Sequence, residues 1–127
     1  MGKVVRLHDG LRALYPDAIV FGAIGTKELV RELDRIRLLL GMARATGNRS
    51  ALSIAVSAEG LTIWAEAPVL TLRLMQLAAI GVDAGTMDVT AVVSGATTTL
   101  SIPLAVPAES EHIADRVMAA LAGRRIA

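Results

Sequence analysis

The sequence predicts an α+β fold. We expect a curled antiparallel β-sandwich or partly open barrel of about seven strands, with a long helix after strand 1 and a C-terminal capping helix. Two patterns support this prediction. In two segments the apolar residues recur at spacings of three and four, as they do on one face of a helix. Between those segments they alternate along six consecutive stretches joined by short turns, which is typical of antiparallel sheets.

Length and composition favour one domain with a substantial core. The chain has 127 residues, of which 54% are hydrophobic and 20% are charged, so it is not intrinsically disordered. Its apolar runs are far shorter than the roughly 20 residues of a membrane span, and no apolar leader follows Met1. We therefore expect a cytoplasmic single domain over 1–127, with an N-terminal helical segment at 1–17 and the core at 18–123.

Charge and chemistry disfavour several classes of function. Thirteen Lys and Arg residues against twelve Asp and Glu residues leave a net charge of +1, which disfavours nucleic-acid binding. The chain has no cysteine, so it has no thiolate nucleophile or Cys-ligated zinc. His8 and His112 are far apart in sequence, and no serine lies in a GxSxG motif. We therefore expect no catalytic residues, no cofactor and no metal ion.

The first strand and the long helix have clear signals. Ala18–Ala23 is apolar and β-leaning, and Thr26 is a suitable N-cap for the helix that follows. The helix is expected to bury one face, formed by Leu29, Leu33, Ile36 and Leu40. The turn before it, Gly22-x-x-Gly25-Thr26-Lys27, matches neither phosphate-loop motif. We interpret it as a structural turn, with an anion site at the helix start as the alternative.

The remaining strands follow from alternation with a period of two. They are expected at Ala51–Ala58, Leu61–Glu66, Val69–Met75, Leu77–Val82, Met87–Val93 and Thr97–Val106, with Pro68 ending the second of these. Trp64 is out of phase with its apolar neighbours and is expected on the opposite face of the sheet. There it either packs under the long helix or the N-terminal segment, or is an exposed contact residue. Ser110 caps a last helix at Glu111–Ala122.

This order of elements resembles the phosphotyrosine-binding (PTB) domain of the pleckstrin-homology-like superfold. Phe21-Gly22 is similar to the family's first-strand motif, and LSIAVSAEGL at 52–61 is similar to its second and third strands. Trp64 with the segments 69–74 and 77–80 looks closest to the malcavernin-type branch. Glu111–Asp115 resembles the start of the family's C-terminal helix. The resemblance covers about residues 18–123.

The resemblance implies recognition of an extended peptide, often one ending in an Asn-Pro-x-Tyr turn, which adds as a strand to the fifth strand of the fold. The peptide-binding residues would be Leu77, Ala78, Ala79, Ile80, Gly81 and Val82 of that strand, with Ile113, Val117, Met118 and Leu121 of the last helix. Gln76 stands where the family often has Arg, and no basic residue lies in 77–82. The expected peptide is therefore unphosphorylated.

Alternatives to peptide recognition remain at this point. The low aromatic content of 2% also suits a structural or artificially designed protein with no natural ligand. The apolar edge at Leu77–Val82 could instead pair with its own copy in a homodimer. A small enzyme or a lipid-binding barrel is a weaker reading.

Overall fold

The structure, a computed structural model, describes residues 17–45 and 47–122. The predicted N-terminal helical segment, apart from Asp17, lies outside these residues, as do His8 and the helix end predicted at Gly123. In chain order the elements are β1 (Ile19–Ile24), α1 (Lys27–Leu39), β2 (Ala51–Ser57), β3 (Gly60–Ala65), β4 (Ala67–Arg73), β5 (Leu77–Asp83), β6 (Thr86–Val93), β7 (Ala96–Pro103) and α2 (Ser110–Ala122).

The strands form two antiparallel sheets, which confirms the predicted α+β class. One sheet has the order β1-β2-β3-β4 and the other has the order β5-β6-β7. The sheets join at one corner, where Ala23 bridges Leu104 and the backbone N–H of Ala105 donates to the carbonyl of Gly22 at 3.1 Å. At the opposite corner a 3₁₀ turn, Leu74–Gln76, separates β4 from β5. The described strands therefore form an open, sandwich-like pair of sheets and no closed barrel.

Helix α1 begins where the sequence predicts. The Thr26 hydroxyl accepts a hydrogen bond from the backbone N–H of Leu29 at 3.2 Å, which satisfies one of the free donors of the first turn. Leu29, Leu33 and Ile36 are buried, as the helical spacing predicts, whereas Leu40 caps the C-terminal end of the helix and is half-buried. This face packs against β4 and β7, so α1 closes one side of the core.

Removing the helix cap should weaken the fold measurably. Thr26→Ala is expected to lower the free energy of unfolding by about 1 kcal/mol, because the N–H of Leu29 loses its partner. The measurement is denaturant unfolding followed by the fluorescence of Trp64, the chain's single tryptophan. Thr97→Ala, at an exposed position in β7, serves as the control and should change the stability little. Equal losses in the two variants would contradict the capping role.

The core is almost entirely aliphatic. In β7 the residues Leu100 and Ile102 are buried while Thr99 and Ser101 are exposed, which confirms the predicted alternation. Among the described residues of the main buried cluster, Phe21 is the one aromatic side chain. The largest fully buried side chains come from both sheets and α1: Leu33, Ile36, Leu52, Ile54, Leu61, Ile63, Leu70, Leu72, Met87, Leu100 and Ile102.

The fourth strand differs from its prediction. It starts at Ala67 and contains Pro68, whereas the sequence predicts a strand from Val69 to Met75. Proline is tolerated here because β4 is the outer strand of its sheet, where a missing N–H costs no ladder bond. Glu66, with a φ of +71°, makes the turn that precedes it. The predicted end of the strand is instead the 3₁₀ turn at Leu74–Gln76.

Candidate peptide-binding edge

Strand β5 lies at the outside of the three-stranded sheet. It pairs with β6, with Ile80 opposite Val89, and with no other described strand. The register shifts between Leu77 and Ala79, as in a β-bulge. An outer strand leaves alternate backbone N–H and C=O groups without a sheet partner. These groups are what an added peptide strand would bind.

The side chains of β5 divide into an inner and an outer set. Leu77 is buried in the core, and Ile80 and Val82 are half-buried against it. Ala78, Ala79 and Gly81 are exposed. Small side chains leave room for another backbone to approach the edge closely. Neither set carries a charge, so the edge at 77–82 is neutral along its length.

The start of helix α2 is fixed next to the end of β5. The Ser110 hydroxyl accepts from the backbone N–H of Gly85 at 2.7 Å and donates to the carbonyl of Pro107 at 2.7 Å. Gly85 lies so close to Pro107 that a Cβ added to it would be 2.9 Å from the proline Cβ. From this anchor α2 packs alongside β5 and against β1 and β2. Helix α2 and strand β5 therefore lie next to each other.

The four predicted helix positions have different environments. Ile113, Val117 and Leu121 are buried and hold α2 on the sheets. Met118 is 63% exposed. The family resemblance implies all four as groove residues, but it does not separate the three that pack into the core from Met118. Of the four, Met118 is the one available for contact.

Two polar residues, Arg73 and Gln76, lie just before the β5 edge. The side chain of Gln76 accepts a hydrogen bond from the backbone N–H of Arg73 at 2.9 Å, so this amide is part of the turn that leads into β5. Arg73 itself is exposed at the end of β4. A phosphotyrosine ligand needs Arg or Lys donors close to its phosphate. The strand itself supplies none.

The sequence analysis does not predict one cluster of charged side chains, which lies beside α1. Asp34 accepts a hydrogen bond from Nη1 of Arg49 at 2.6 Å, and Nε of Arg44 lies 3.5 Å from its second oxygen. The side chains of Asp34 and Arg49 are 12% and 11% exposed, whereas Arg44 is 75% exposed. The partners are 10 and 15 residues apart along the chain, so local periodicity gives no sign of the contact. The one available signal is the position of Asp34 directly after the buried Leu33.

The environment of Asp34 favours its charged form. Burial alone would raise the pKa of the carboxyl. The hydrogen bond and charge of Arg49, the charge of Arg44 and a hydrogen bond from the backbone of Ala45 act in the opposite direction. Together they hold the pKa of Asp34 below its ordinary value.

Trp64 lies on the outer face of the four-stranded sheet, as its phase predicts. It is half-buried and packs with Val20, Ala55 and Ala18. Its Nε1 and the hydroxyl of Ser53 are buried without a hydrogen-bond partner among the described residues. These packing partners belong to β1, to β2 and to the residue before β1, and none belongs to α1. The N-terminal segment, which the sequence analysis offered as another packing partner, lies outside the described residues.

The chemistry-bearing residues do not converge elsewhere in the described ranges. No group of three or more His, Asp and Glu side chains there could hold a metal ion. His112 is exposed in the first turn of α2. No helix among the described residues is long and apolar enough to cross a membrane. Comparisons with protein-family models and with curated proteins gave no significant match.

Proposed function

We propose that this chain is a non-enzymatic, PTB-like recognition module of the cytoplasm. It binds an extended, unphosphorylated peptide by strand addition to the free edge of β5. The observation that carries the proposal is the position of β5, an outer strand with exposed small residues that runs beside α2. The order of elements, with a helix between the first two strands and a helix after the last, supports the PTB-like assignment.

Strand addition explains how a neutral edge can hold a ligand. The peptide's backbone N–H and C=O groups pair with those that β5 leaves unused, and this pairing supplies affinity with little dependence on sequence. Exposed Ala79 and Gly81 let the peptide backbone reach hydrogen-bonding distance. Met118 then contributes an adaptable apolar contact from α2, since its thioether side chain is flexible. Specificity therefore depends on apolar contacts and on backbone shape.

Met118 provides the test for the helix side of the site. Met118→Glu is expected to weaken binding of an Asn-Pro-x-Tyr peptide at least about tenfold, because a charge replaces the apolar contact. Isothermal titration calorimetry measures the affinity. Leu38→Glu is the matched control, since Leu38 is 62% exposed and lies on α1, outside the proposed site. The assignment of Met118 to the site would be refuted if both variants weakened peptide binding equally, or if neither variant weakened it.

The same titration tests independence from phosphate. A peptide phosphorylated on its tyrosine should bind no more tightly than the unphosphorylated form, because β5 offers no cation for the phosphate. A gain of tenfold or more on phosphorylation would contradict this part of the proposal.

The alternative is a structural or artificially designed protein with no natural ligand, which self-associates through the same edge. The outer edge of β5, which has no strand neighbour among the described residues, also favours this alternative, since two copies can pair edge to edge. Light scattering over a range of concentrations separates the two proposals. A monomer that binds the peptide supports recognition, whereas a dimer that excludes the peptide supports self-association.

A further inference from the structure

A concave surface away from the β5 edge carries a concentrated positive charge. This surface, the α1 cleft, has a volume of about 430 Å³ and opens between the first two turns of α1 and the segment that leads into β2. Its charged lining residues are Lys27, Arg31, Arg44 and Arg49, with Asp34 as the one acid among the described residues that line it. The whole chain has a net charge of only +1. The cleft is therefore strongly positive on a nearly neutral protein.

Two of the three arginines in the cleft, Arg44 and Arg49, contact Asp34. Arg49 uses Nη1 in the 2.6 Å hydrogen bond to this carboxylate, and Arg44 approaches it through Nε. A guanidinium has five N–H donors, so each arginine keeps donors for a second partner. The buried carboxylate thus orients Arg49 and Arg44 at the cleft and leaves most of their N–H donors available for a ligand. Ordering these side chains in advance reduces the entropic cost of binding.

Two further cations face the cleft from α1. Lys27 and Arg31 are one turn apart and exposed, so they lie on the same side of the helix as Asp34. Neither makes an ion pair with a described residue. Lys27 is also the first residue of the helix, where free backbone N–H groups add positive potential. Val30 is the one large apolar side chain among the described residues that line the cleft.

We propose that the α1 cleft binds a phosphate-bearing anion with two or more negative charges. Guanidinium groups match phosphate oxygens in paired hydrogen bonds, and the ammonium of Lys27 adds a mobile point charge. The volume is within the range of small-molecule sites. Four of the five charged side chains in the lining are cations, so the anionic part of the ligand is the part that the cleft recognises. The anion can be a free polyphosphate or the headgroup of a lipid with a terminal phosphate. In both cases the cations of the cleft would bind phosphate oxygens.

Two probes test the proposal and distinguish its sources. Inorganic pyrophosphate is titrated by calorimetry at physiological ionic strength, and phosphatidylcholine vesicles with and without phosphatidic acid are tested by co-sedimentation. The cleft variant combines Lys27→Gln with Arg31→Gln. The control variant combines Arg73→Gln with Arg116→Gln, which removes the same charge from exposed positions outside the cleft. Circular dichroism verifies that both variants fold.

The cleft variant is expected to lose at least about tenfold in affinity, and the control variant to keep the affinity of the parent. This pattern with pyrophosphate identifies a free anion as the ligand, and the same pattern with phosphatidic acid vesicles alone identifies a lipid headgroup. Both results support the proposal. Equal weakening of binding in the two variants would mean an adventitious ion only and would overturn the proposal. A lack of saturable binding to both probes would overturn it as well.

Discussion

Replacing Asp34 with alanine is expected to lower the free energy of unfolding by about 3 kcal/mol. The substitution removes the hydrogen-bonding partner of Arg49, whose side chain is 11% exposed and is then left as an uncompensated charge away from water. It also removes the carboxylate that the side chain of Arg44 and the backbone of Ala45 contact in the segment before β2. Urea unfolding followed by Trp64 fluorescence gives the loss. Arg49→Ala is expected to cost a similar amount, and the double variant should cost less than the two losses added together.

The same carboxylate predicts how stability depends on pH. Its pKa is lower in the folded protein than in the unfolded chain, so folding favours the charged form. The stabilisation is therefore complete above the unfolded pKa of about 4 and is lost as the pH falls through the folded value. Asp34→Asn should flatten this decrease relative to the parent protein. Identical pH profiles for the two proteins would contradict the assignment.

Gly60→Ala is expected to cost about 3 kcal/mol or more. Gly60 lies in the hairpin between β2 and β3 with a φ of +140°, and a Cβ built on it would be 2.2 Å from the carbonyl oxygen of Leu72. Alanine therefore faces both backbone strain and a clash with β4. Relieving the clash would require β3 and β4 to move apart. Thermal unfolding should show a large decrease in Tm.

Gly95→Ala separates these two causes. Gly95 also has a positive φ, +80°, but no atom lies within 4 Å of the position that its Cβ would take. Its substitution should cost about 1 kcal/mol, which is the strain alone. If Gly60→Ala cost no more than Gly95→Ala, the close approach of β4 would have no energetic weight.

The helices and strands could be predicted from the sequence because each depends on residues close to one another along the chain. The period of alternation and the spacing of Leu29, Leu33 and Ile36 depend on neighbours a few residues away. The Thr26 cap depends on the residues of one turn. By contrast, the prediction that Pro68 lies outside a strand was wrong. The sequence does not show that β4 is the outer strand of its sheet, where proline is tolerated. Partner strands are a long-range property, and the tolerance for proline follows from them.

The candidate site was predictable in outline and not in detail. The neutral character of 77–82 and its small residues are visible in the sequence. That β5 has one neighbour, and that α2 runs beside it, required the fold. The family resemblance grouped Met118 with Val117, although Met118 is exposed and Val117 is buried. The Asp34 cluster escaped prediction because its arginines come from a loop without periodic pattern.

The most direct test of peptide recognition is an amide NMR titration with an unphosphorylated Asn-Pro-x-Tyr peptide. Strand addition predicts saturable shifts confined to the β5 edge at 77–82 and to the helix at 113–121, with the largest changes in β5 amides that point away from β6. Gly81→Glu should reduce them, since a Cβ fits there without contact and the new charge would lie beside the peptide. An absence of shifts at millimolar peptide, or shifts confined to another surface, would contradict the account.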